Sequence, residues 1–240
     1  MTVVSAHAKL TGELRITGVR DDGFHLIDAE MMTLDLADEL TILPGDSLEV
    51  DRVGGADIPS GADNLVSRAL RAVDRVAAVR ISKHIPAGGG LGGGSADAAA
   101  ILRWAGCGDL DIAVSIGADV PFCLVGGRAR VRGIGELVEP LAFVDRTFTL
   151  ALPGLHCSTP AVYAAWDELG GPTADGPNDL EPAALKVVPA LAQWRDDLGD
   201  ATGETPVLAG SGSTWFVEGD HPGDGRLVVH TVPASIAGNR

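Results

Sequence analysis

The segment that most constrains this chain is a glycine-rich loop, in which six of the seven residues from 88 to 94 are glycine. An ordered glycine costs about 0.5–1 kcal/mol relative to alanine, so six together are expected where the backbone must bend sharply or approach a ligand closely. The sequence predicts a strand before the loop, over 79–83, and an alanine-rich helix after it, over 95–104. Backbone N–H groups and the dipole at a helix N-terminus bind anions, and Ser95 would add a hydroxyl there. The loop is therefore interpreted as an anion site.

Three other interpretations of the loop are weaker. No Gly-Lys-Ser/Thr follows the glycines, so the loop is not a Walker A motif. No acidic residue marks a strand end about 20 residues further on, as a dinucleotide-binding fingerprint requires. A flexible glycine linker is the structural alternative, and the flanking strand and helix, together with the apolar Leu91 inside the loop, argue against it.

The composition of the chain limits its partners. The 240 residues carry 33 acidic and 18 basic side chains, a formal net charge of −15 that argues against a general nucleic-acid binder, since such proteins need a basic face. Apolar residues make up 45%, enough for a core. No signal peptide and no apolar run of about 18 residues is found. The three cysteines are too scattered for a disulfide scaffold or a zinc cluster, and we expect them to be reduced. These features predict a cytoplasmic protein that binds no membrane.

Strand and helix patterns alternate along the chain and predict an α+β fold in two domains, residues 1–145 and residues 146–240. In the first domain we expect strands over 14–19, 27–36, 39–43, 47–53 and 79–83, helices over 65–76, 95–104 and 109–116, a loop over 54–61, and a β-hairpin with strands 122–125 and 129–132. In the second domain we expect strands over 148–152, 207–208, 214–218 and 226–231, and helices over 159–169 and 185–198.

Three short motifs add chemistry to the loop. Asp119 stands between small residues just before an expected strand and can project into a cleft, although a turn-forming aspartate is the plainer interpretation of that residue alone. Lys9 is flanked by small and apolar residues on an early strand, which is atypical of a solvated lysine; a snorkelling lysine is an even alternative. Gly210–Ser213 is a second glycine turn between strands, which alone could be a simple hairpin.

Taken together and in this order, these motifs resemble the GHMP kinase superfamily. Within it, the chain is most similar to the kinases that act on 4-diphosphocytidyl-2-C-methyl-D-erythritol. The segments that carry the resemblance are Ala8–Leu10, Gly18–His25, Leu34–Asp38, Asp63–Leu65, Pro86–Ala100, Gly117–Pro121, Ser158–Pro160, Asn178–Glu181 and Gly210–Gly212. The glycine loop indicates only the superfamily, whereas the Asp-Gly-Phe-His and Asn-Asp-Leu-Glu segments point to this member of it.

The resemblance implies the fold of these kinases, with a ribosomal protein S5-like first domain that binds ATP and a ferredoxin-like second domain. It implies transfer of the γ-phosphoryl group of ATP to the C2 hydroxyl of the methylerythritol group, in non-mevalonate isoprenoid biosynthesis. Asp119 matches the family's catalytic aspartate and Lys9 the lysine beside it; whether Asp119 is a strong base or mainly positions the hydroxyl stays open. Mg²⁺ would accompany ATP, held mostly by phosphates and water, with Ser95 as a possible ligand.

The resemblance also assigns binding residues. The triphosphate would lie on the loop residues, which are Pro86, Ala87, Gly88, Gly89, Gly90, Leu91, Gly92, Gly93, Gly94, Ser95 and Ala96. Asn64 and Lys83 match positions near the adenosine. Phe24 and Tyr163 would stack on the cytosine ring and His25 would hydrogen-bond its edge. The structural alternatives are a turn hydrophobe for Phe24, a helix core residue for Tyr163 and a structural donor for His25.

The chain departs from the family pattern in three places. Thr11 and Gly12 stand where the family has Asn-Leu, so Thr11 keeps a hydroxyl for the substrate but lacks the amide. Phe24 replaces a tyrosine, and Gly219–Gly225 is a loop where the family has a helix, which predicts a shortened second domain. Two rival functions stay open: another small-molecule kinase of the superfamily, acting on homoserine, mevalonate or a sugar, and a non-catalytic paralogue that binds nucleotide or a partner. The protein is expected to be a monomer or a homodimer.

Overall fold

A computed structural model describes residues 1–51 and 61–234 of the chain as two antiparallel-rich sheets with helices packed on them. The strands are β1 (Thr2–Val19), β2 (His25–Leu43), β3 (Ser47–Asp51), β4 (Ala78–Ser82), β5 (Arg128–Gly133), β6 (Leu137–Pro140), β7 (Thr147–Ala151), β8 (Val207–Leu208), β9 (Trp215–Glu218) and β10 (Arg226–His230). The helices are α1 (Leu65–Ala72), α2 (Gly93–Trp104), α3 (Leu110–Ile116), α4 (Val120–Val125), α5 (Thr159–Glu168), α6 (Glu181–Val187) and α7 (Leu191–Thr202).

The first sheet is organised around the long strand β2. One edge of β2 pairs along its length with β1, and the other edge pairs with β5 over its first half and with β4 over its second half. The order is β3-β4-β2-β5-β6, with β3 and β4 parallel. Helix α2 packs on this sheet through buried alanines, at positions 96, 98, 99 and 100, whose small side chains let the helix approach β1 closely.

The second sheet has the order β10-β7-β9-β8, and all its pairings are antiparallel. Between β7 and β8 the chain forms α5, α6 and α7, whereas residues 219–225 between β9 and β10 contain no helix. This is the strand order of a ferredoxin-like sheet with its second crossover helix replaced by a loop. The α+β fold expected from the sequence is therefore confirmed, and the domain boundary near residue 145 stays a prediction.

Main-chain hydrogen bonds join the first sheet to residues 177–179, which precede α6, and to Val232, which follows β10. Leu14 N donates to Pro177 O at 2.9 Å, and Asp179 N donates to Leu14 O at 3.0 Å. The Asp179 carboxylate accepts from Ile16 N at 2.9 Å and from Arg15 Nη1 at 2.8 Å. On β2, Thr33 O accepts from Val232 N at 2.9 Å. Because the Asn178 side chain also donates to Leu208 O on β8, the Asn-Asp-Leu-Glu segment ties the second sheet to β1.

Two expected elements are wrong. The hairpin with strands 122–125 and 129–132 is instead helix α4 followed by β5, which pairs with β6. A short apolar run does not distinguish strand from helix, and Pro121 in the first turn favours the helix. The single helix over 185–198 is two helices, because Pro189 cannot donate a helical hydrogen bond and moves Val188 out of the helical region, to ψ 81°.

Strand β6 has no counterpart among the expected elements, and the other differences are in boundaries. The strands expected over 27–36 and 39–43 are one strand, since Asp38 between them is paired through its carboxylate rather than turned to solvent. Helix α1 ends at Ala72, four residues before the expected end at Val76. The end of the strand expected over 47–53 and residues 54–60 of the following loop lie outside the described residues. In the part of the chain that is described, no helix has both the length and the apolar character needed to cross a membrane.

Candidate active site

The glycine loop and the second glycine turn pack backbone against backbone. The glycine loop belongs to the connection from β4 to α2, residues 83–92, and residues 209–214 connect β8 to β9. Gly90 has φ +77°, and a Cβ placed on it would overlap Ala209 O and lie 2.9 Å from Gly212 O. Thr214 N donates to Gly89 O at 3.2 Å across the same contact. Only glycine fits at position 90, because both the backbone angle and the neighbouring carbonyls exclude a side chain.

The loop lines a cavity of about 950 Å³, whose other walls come from strands of the first sheet and from helices and loops of the second half of the chain. The residues predicted from the sequence that line it are Lys9, Thr11, His25, Asn64, Lys83, Asp119, Tyr163 and the loop from Pro86 to Ser95. Ala96 is buried inside α2 instead, and Phe24 is 57% exposed on a surface turn, with the Arg20 guanidinium 5.9 Å from its ring centre. The first turn of α2, at Gly93–Ser95, therefore presents its N-terminus to the cavity, as an anion site requires.

Lys9 and Asp119 form an ion pair on the cavity wall. Lys9 Nζ lies 3.4 Å from Asp119 Oδ2, and the Lys9 side chain is only 6% exposed against 32% for Asp119. Lys9 Nζ also donates to Thr11 Oγ1 at 3.0 Å. Asp119 holds the position before α4 without making a side-chain cap hydrogen bond, so its carboxylate is turned to the lysine. The arrangement places a fixed cation beside a partly exposed carboxylate.

The stem of Lys9 is positioned by the glycine loop. Lys9 N donates to Leu91 O at 3.0 Å, and Leu91 itself is 1% exposed. Gly92 has φ +69°, and a Cβ on it would lie 2.7 Å from Lys9 Cγ. The loop therefore holds both the anion site and the lysine that faces Asp119.

The departure at Thr11 and Gly12 has a local explanation. The pairing of β1 with β2 shifts register between Thr11 and Glu13, and Gly12 is the extra residue of that irregularity. A Cβ on Gly12 would lie 2.8 Å from Met32 Cε, so the side chain of Met32 occupies the space beside it. Thr11 points its hydroxyl to Lys9, which accounts for a small hydroxyl residue here.

Two aromatic rings and one carboxylate surround His25, which also lines the cavity. The His25 ring lies 4.7 Å from the Tyr163 ring and 5.5 Å, edge-on, from the Trp166 ring. His25 Nε2 is 2.8 Å from Asp167 Oδ1, and burial raises the pKa of Tyr163 well above its ordinary value. The structure brings His25 and Tyr163 together as the sequence predicts, and it places Phe24 apart from them.

Lys83, another residue of the cavity lining, is held between two buried carboxylates. Its Nζ donates to Asp38 Oδ2 and, at 2.8 Å, to Asp97 Oδ2. Burial opposes the charge on Lys83, but the two carboxylates outweigh it and raise its pKa. Asn64 caps α1, since its Oδ1 accepts from Val66 N at 2.8 Å. Both residues line the cavity as well as making these structural contacts.

Three residues that shape the site, Asp38, Asp97 and Asn178, lie in segments that match the family, but the sequence assigns them no role. Asp38 and Asp97 have no motif of their own as a pair, because their meeting depends on the position of Lys83. Asn178 donates through Nδ2 to Leu208 O at 2.8 Å and to Gly210 O at 2.7 Å, which shapes the second glycine turn. The buried character of a segment that reads Pro-Asn-Asp could not be found from composition, since these residue types are typical of exposed turns.

Comparisons with known proteins agree with the resemblance. The family of GHMP kinases N terminal domains matches residues 64–127. A 4-diphosphocytidyl-2-C-methyl-D-erythritol kinase of Paracoccus denitrificans is 37% identical over 236 residues, which cover 88% of this chain and 85% of that protein. The corresponding kinase of Cereibacter sphaeroides is 36% identical over 246 residues, covering 90% and 88%.

Solved structures show the same fold. A crystal structure of 4-(cytidine 5'-diphospho)-2C-methyl-D-erythritol kinase is similar with a TM-score of 0.76 and 29% identity, over 96% of this chain and 99% of that one. A mevalonate kinase structure is similar with a TM-score of 0.58 at 12% identity, over 92% of each chain, which concerns the fold alone.

Proposed function

This chain belongs to the family of 4-diphosphocytidyl-2-C-methyl-D-erythritol kinases, and we propose that its acceptor is the C2 hydroxyl of that substrate. It is an ATP-dependent small-molecule kinase of isoprenoid precursor biosynthesis. The single observation that carries the assignment of its site is the meeting of the glycine loop with the Lys9–Asp119 pair in one cavity. A phosphate site and a carboxylate that can take a hydroxyl proton are the two parts that phosphoryl transfer to an alcohol needs.

In the proposed mechanism, Asp119 orients the acceptor hydroxyl and takes its proton as the oxygen attacks the γ-phosphorus. Lys9 Nζ, fixed by Thr11 and by the backbone of the glycine loop, offsets the charge on the transferring phosphoryl group. Backbone N–H groups at the start of α2 hold the phosphates, which explains how a chain of net charge −15 binds a polyanion. The leaving group is ADP.

The residues that line the cavity fit Mg²⁺ only when the phosphates of ATP and water supply most of its ligands. No cluster of three or more histidine, cysteine or acidic side chains able to hold a metal occurs in residues 1–51 and 61–234. Mg²⁺ keeps several waters and binds through phosphates with one or two protein oxygens, for which the Ser95 hydroxyl at the start of α2 is the candidate. The ion would neutralise phosphate charge there.

The cytidine is proposed to bind at the His25–Tyr163 end of the cavity. The Tyr163 ring offers a stacking face, and the contact between His25 Nε2 and Asp167 fixes the imidazole so that its other nitrogen can meet the base edge. Phe24 would have to move from its exposed turn to complete a sandwich, so we propose Tyr163 as the main stacking residue. The three free cysteines support a reducing, cytoplasmic location.

A coupled assay of ADP release, with Mg²⁺-ATP and 4-diphosphocytidyl-2-C-methyl-D-erythritol, tests the proposal. Turnover is expected with this acceptor and not with homoserine or mevalonate. Asp119→Asn should lower kcat by about 10²–10⁴-fold, since it removes the proton acceptor. Folded protein that binds ATP but phosphorylates none of these acceptors would instead support a non-catalytic paralogue.

A further inference from the structure

Three buried charged residues lie beneath the glycine loop and take no part in the mechanism above. Asp38, Lys83 and Asp97, here called the loop clamp, have side chains no more than 5% exposed. They come from three different elements: Asp38 from β2, Lys83 from the residue after β4, and Asp97 from α2. A buried ion pair contributes little net stability in most proteins, so a three-membered one beside an active site calls for another explanation.

The loop clamp joins the two ends of the glycine loop. At the start of the loop, Asp38 Oδ1 accepts from His84 N at 2.5 Å and from Ile85 N at 2.8 Å. At its end, Asp97 lies in the first turns of α2 and accepts from Lys83 Nζ at 2.8 Å. Lys83 Nζ donates to Asp38 as well, so a single ammonium group connects the strand that enters the loop to the helix that leaves it.

The packing around Lys83 leaves little freedom for this group. A Cβ placed on Gly93 would lie 3.2 Å from Lys83 Nζ and 3.1 Å from Ile85 Cγ2. The first residue of α2 therefore packs against the ammonium group of Lys83. Asp97 Oδ1 is buried without a hydrogen-bond partner. A group held this closely is expected to move only together with the backbone it contacts.

We propose that Asp38 and Asp97 are positioning residues for phosphate binding, which act through Lys83 to fix the separation between the start of the glycine loop and the N-terminus of α2. The inference rests on the proposed function only in taking the loop as the ATP phosphate site. The backbone N–H groups that hold the phosphates belong to the segment that the clamp closes. Loss of the clamp lets the two ends separate, which disorders those donors.

A direct contact between Lys83 and the nucleotide is the rival explanation, since Lys83 also lines the cavity. The two explanations differ at Asp38, which is at most 1% exposed and is not part of the cavity lining. Asp38→Asn retains the Lys83–Asp97 pair and leaves Lys83 in place for the nucleotide. Only the clamp predicts that this variant binds ATP poorly.

The experiment measures binding of Mg²⁺ with a non-hydrolysable ATP analogue by calorimetry, and amide hydrogen exchange over residues 84–92, without any acceptor. Asp38→Asn should weaken analogue binding by about tenfold, the usual effect of losing hydrogen bonds to a charged group, and should speed exchange over the loop. Lys83→Met should do the same. Asp97→Asn should weaken binding by at most about threefold, since its amide oxygen still accepts from Lys83.

Steady-state kinetics then separate positioning from a general loss of structure. In Asp38→Asn, KM for ATP should rise about tenfold while KM for the acceptor stays within about twofold. The double variant of Asp38→Asn with Lys83→Met should have a KM for ATP at most about threefold above that of the single variant with the higher KM. Both changes open the same clamp, so their effects should not add. If Lys83→Met does not fold, Asp38→Asn carries the test alone.

Glu30→Gln is the matched control, because Glu30 lies on the same strand and pairs with Arg128 at 2.9 and 3.0 Å, away from the loop. It should change neither analogue binding nor loop exchange. The proposal is overturned if Asp38→Asn binds the analogue as the wild type does, or if its melting temperature falls while binding and exchange over 84–92 are unchanged. A wild type that binds the analogue but phosphorylates no acceptor would refute the proposed function and leave this test intact.

Discussion

Replacing Gly90 by alanine tests whether the glycine loop is shaped by contact with the second glycine turn. The left-handed φ of +77° costs an alanine about 1–2 kcal/mol. The added methyl group also overlaps Ala209 O and lies 2.9 Å from Gly212 O, so one backbone segment must move, at a further cost of about 1–3 kcal/mol. We therefore expect Gly90→Ala to lower the free energy of unfolding by about 2–5 kcal/mol. The value of kcat/KM for ATP should fall as well, because the loop that binds the phosphates is displaced.

Two other glycines allow the cost of the left-handed backbone to be measured apart from the cost of the contact with residues 209–212. Gly106 has φ +75° with no atom within 4 Å of a Cβ, so Gly106→Ala measures the backbone cost alone, about 1–2 kcal/mol. Gly94 lies in the first turn of α2, and a Cβ there would be 3.5 Å from Leu65 Cδ1, an ordinary contact. Gly94→Ala should therefore be neutral or stabilising, by up to about 1 kcal/mol.

Urea denaturation of the three variants gives the free energies, and thermal melting gives a second measure. For a chain of this length 1 kcal/mol corresponds to roughly 2–4 °C, so Gly90→Ala should melt several degrees below Gly106→Ala. Equal melting temperatures for these two variants would refute the reasoning, since they would show that the contact with residues 209–212 exerts no force on the loop. A destabilised Gly94→Ala would contradict the geometry of α2.

Three further predictions concern individual side chains. Lys9→Met should lower kcat by about 10²–10³-fold and change KM for ATP less, in steady-state assays at saturating acceptor, because it removes charge stabilisation of the transferring group. Burial, with the charge of Asp38, raises the pKa of Asp97 to about 7 although Lys83 opposes it, so the folded state gives up this proton at a higher pH than the unfolded state. The stability of the wild type relative to Asp97→Asn should then fall as the pH rises from about 4 to about 7 and level off above, by urea denaturation; a difference independent of pH would contradict the raised value. Asp167→Ala frees the His25 ring and should raise KM for the acceptor about threefold to tenfold without changing KM for ATP; an equal rise in both would show a general defect.

Much of the fold follows from the sequence because its signals are local. Helices α1 and α3 form where they are expected, with Asn64 and Asp109 capping them, and the glycine loop lies between a strand and a helix as predicted. The apolar run 122–125 is helical where a strand is expected, because periodicity does not separate a buried strand from a buried helix over four residues. Pro189 predicts a break in the helix expected over 185–198, but the apolar residues on both sides of it keep a helical spacing and so favour one continuous helix.

The site, too, is predictable only where its residues belong to local sequence motifs. The loop, Lys9 and Asp119 belong to compact motifs, and the structure brings them into one cavity. Asp38 and Asp97 are 59 residues apart in sequence and meet only through Lys83, so no spacing rule links them. Phe24 matches a binding motif but lies on an exposed turn, because a motif fixes residue types and not the orientation of the turn that carries them.

The main-chain bonds between the first sheet and the second half of the chain have a consequence for motion. These bonds join Leu14 to residues 177–179 and Thr33 to Val232. A hinge opening of one sheet from the other would break these bonds, whereas rearrangement of the loops above them breaks none. We therefore expect substrates to enter by loop movement, with a radius of gyration in small-angle scattering that is the same, within about 1 Å, with and without ligands.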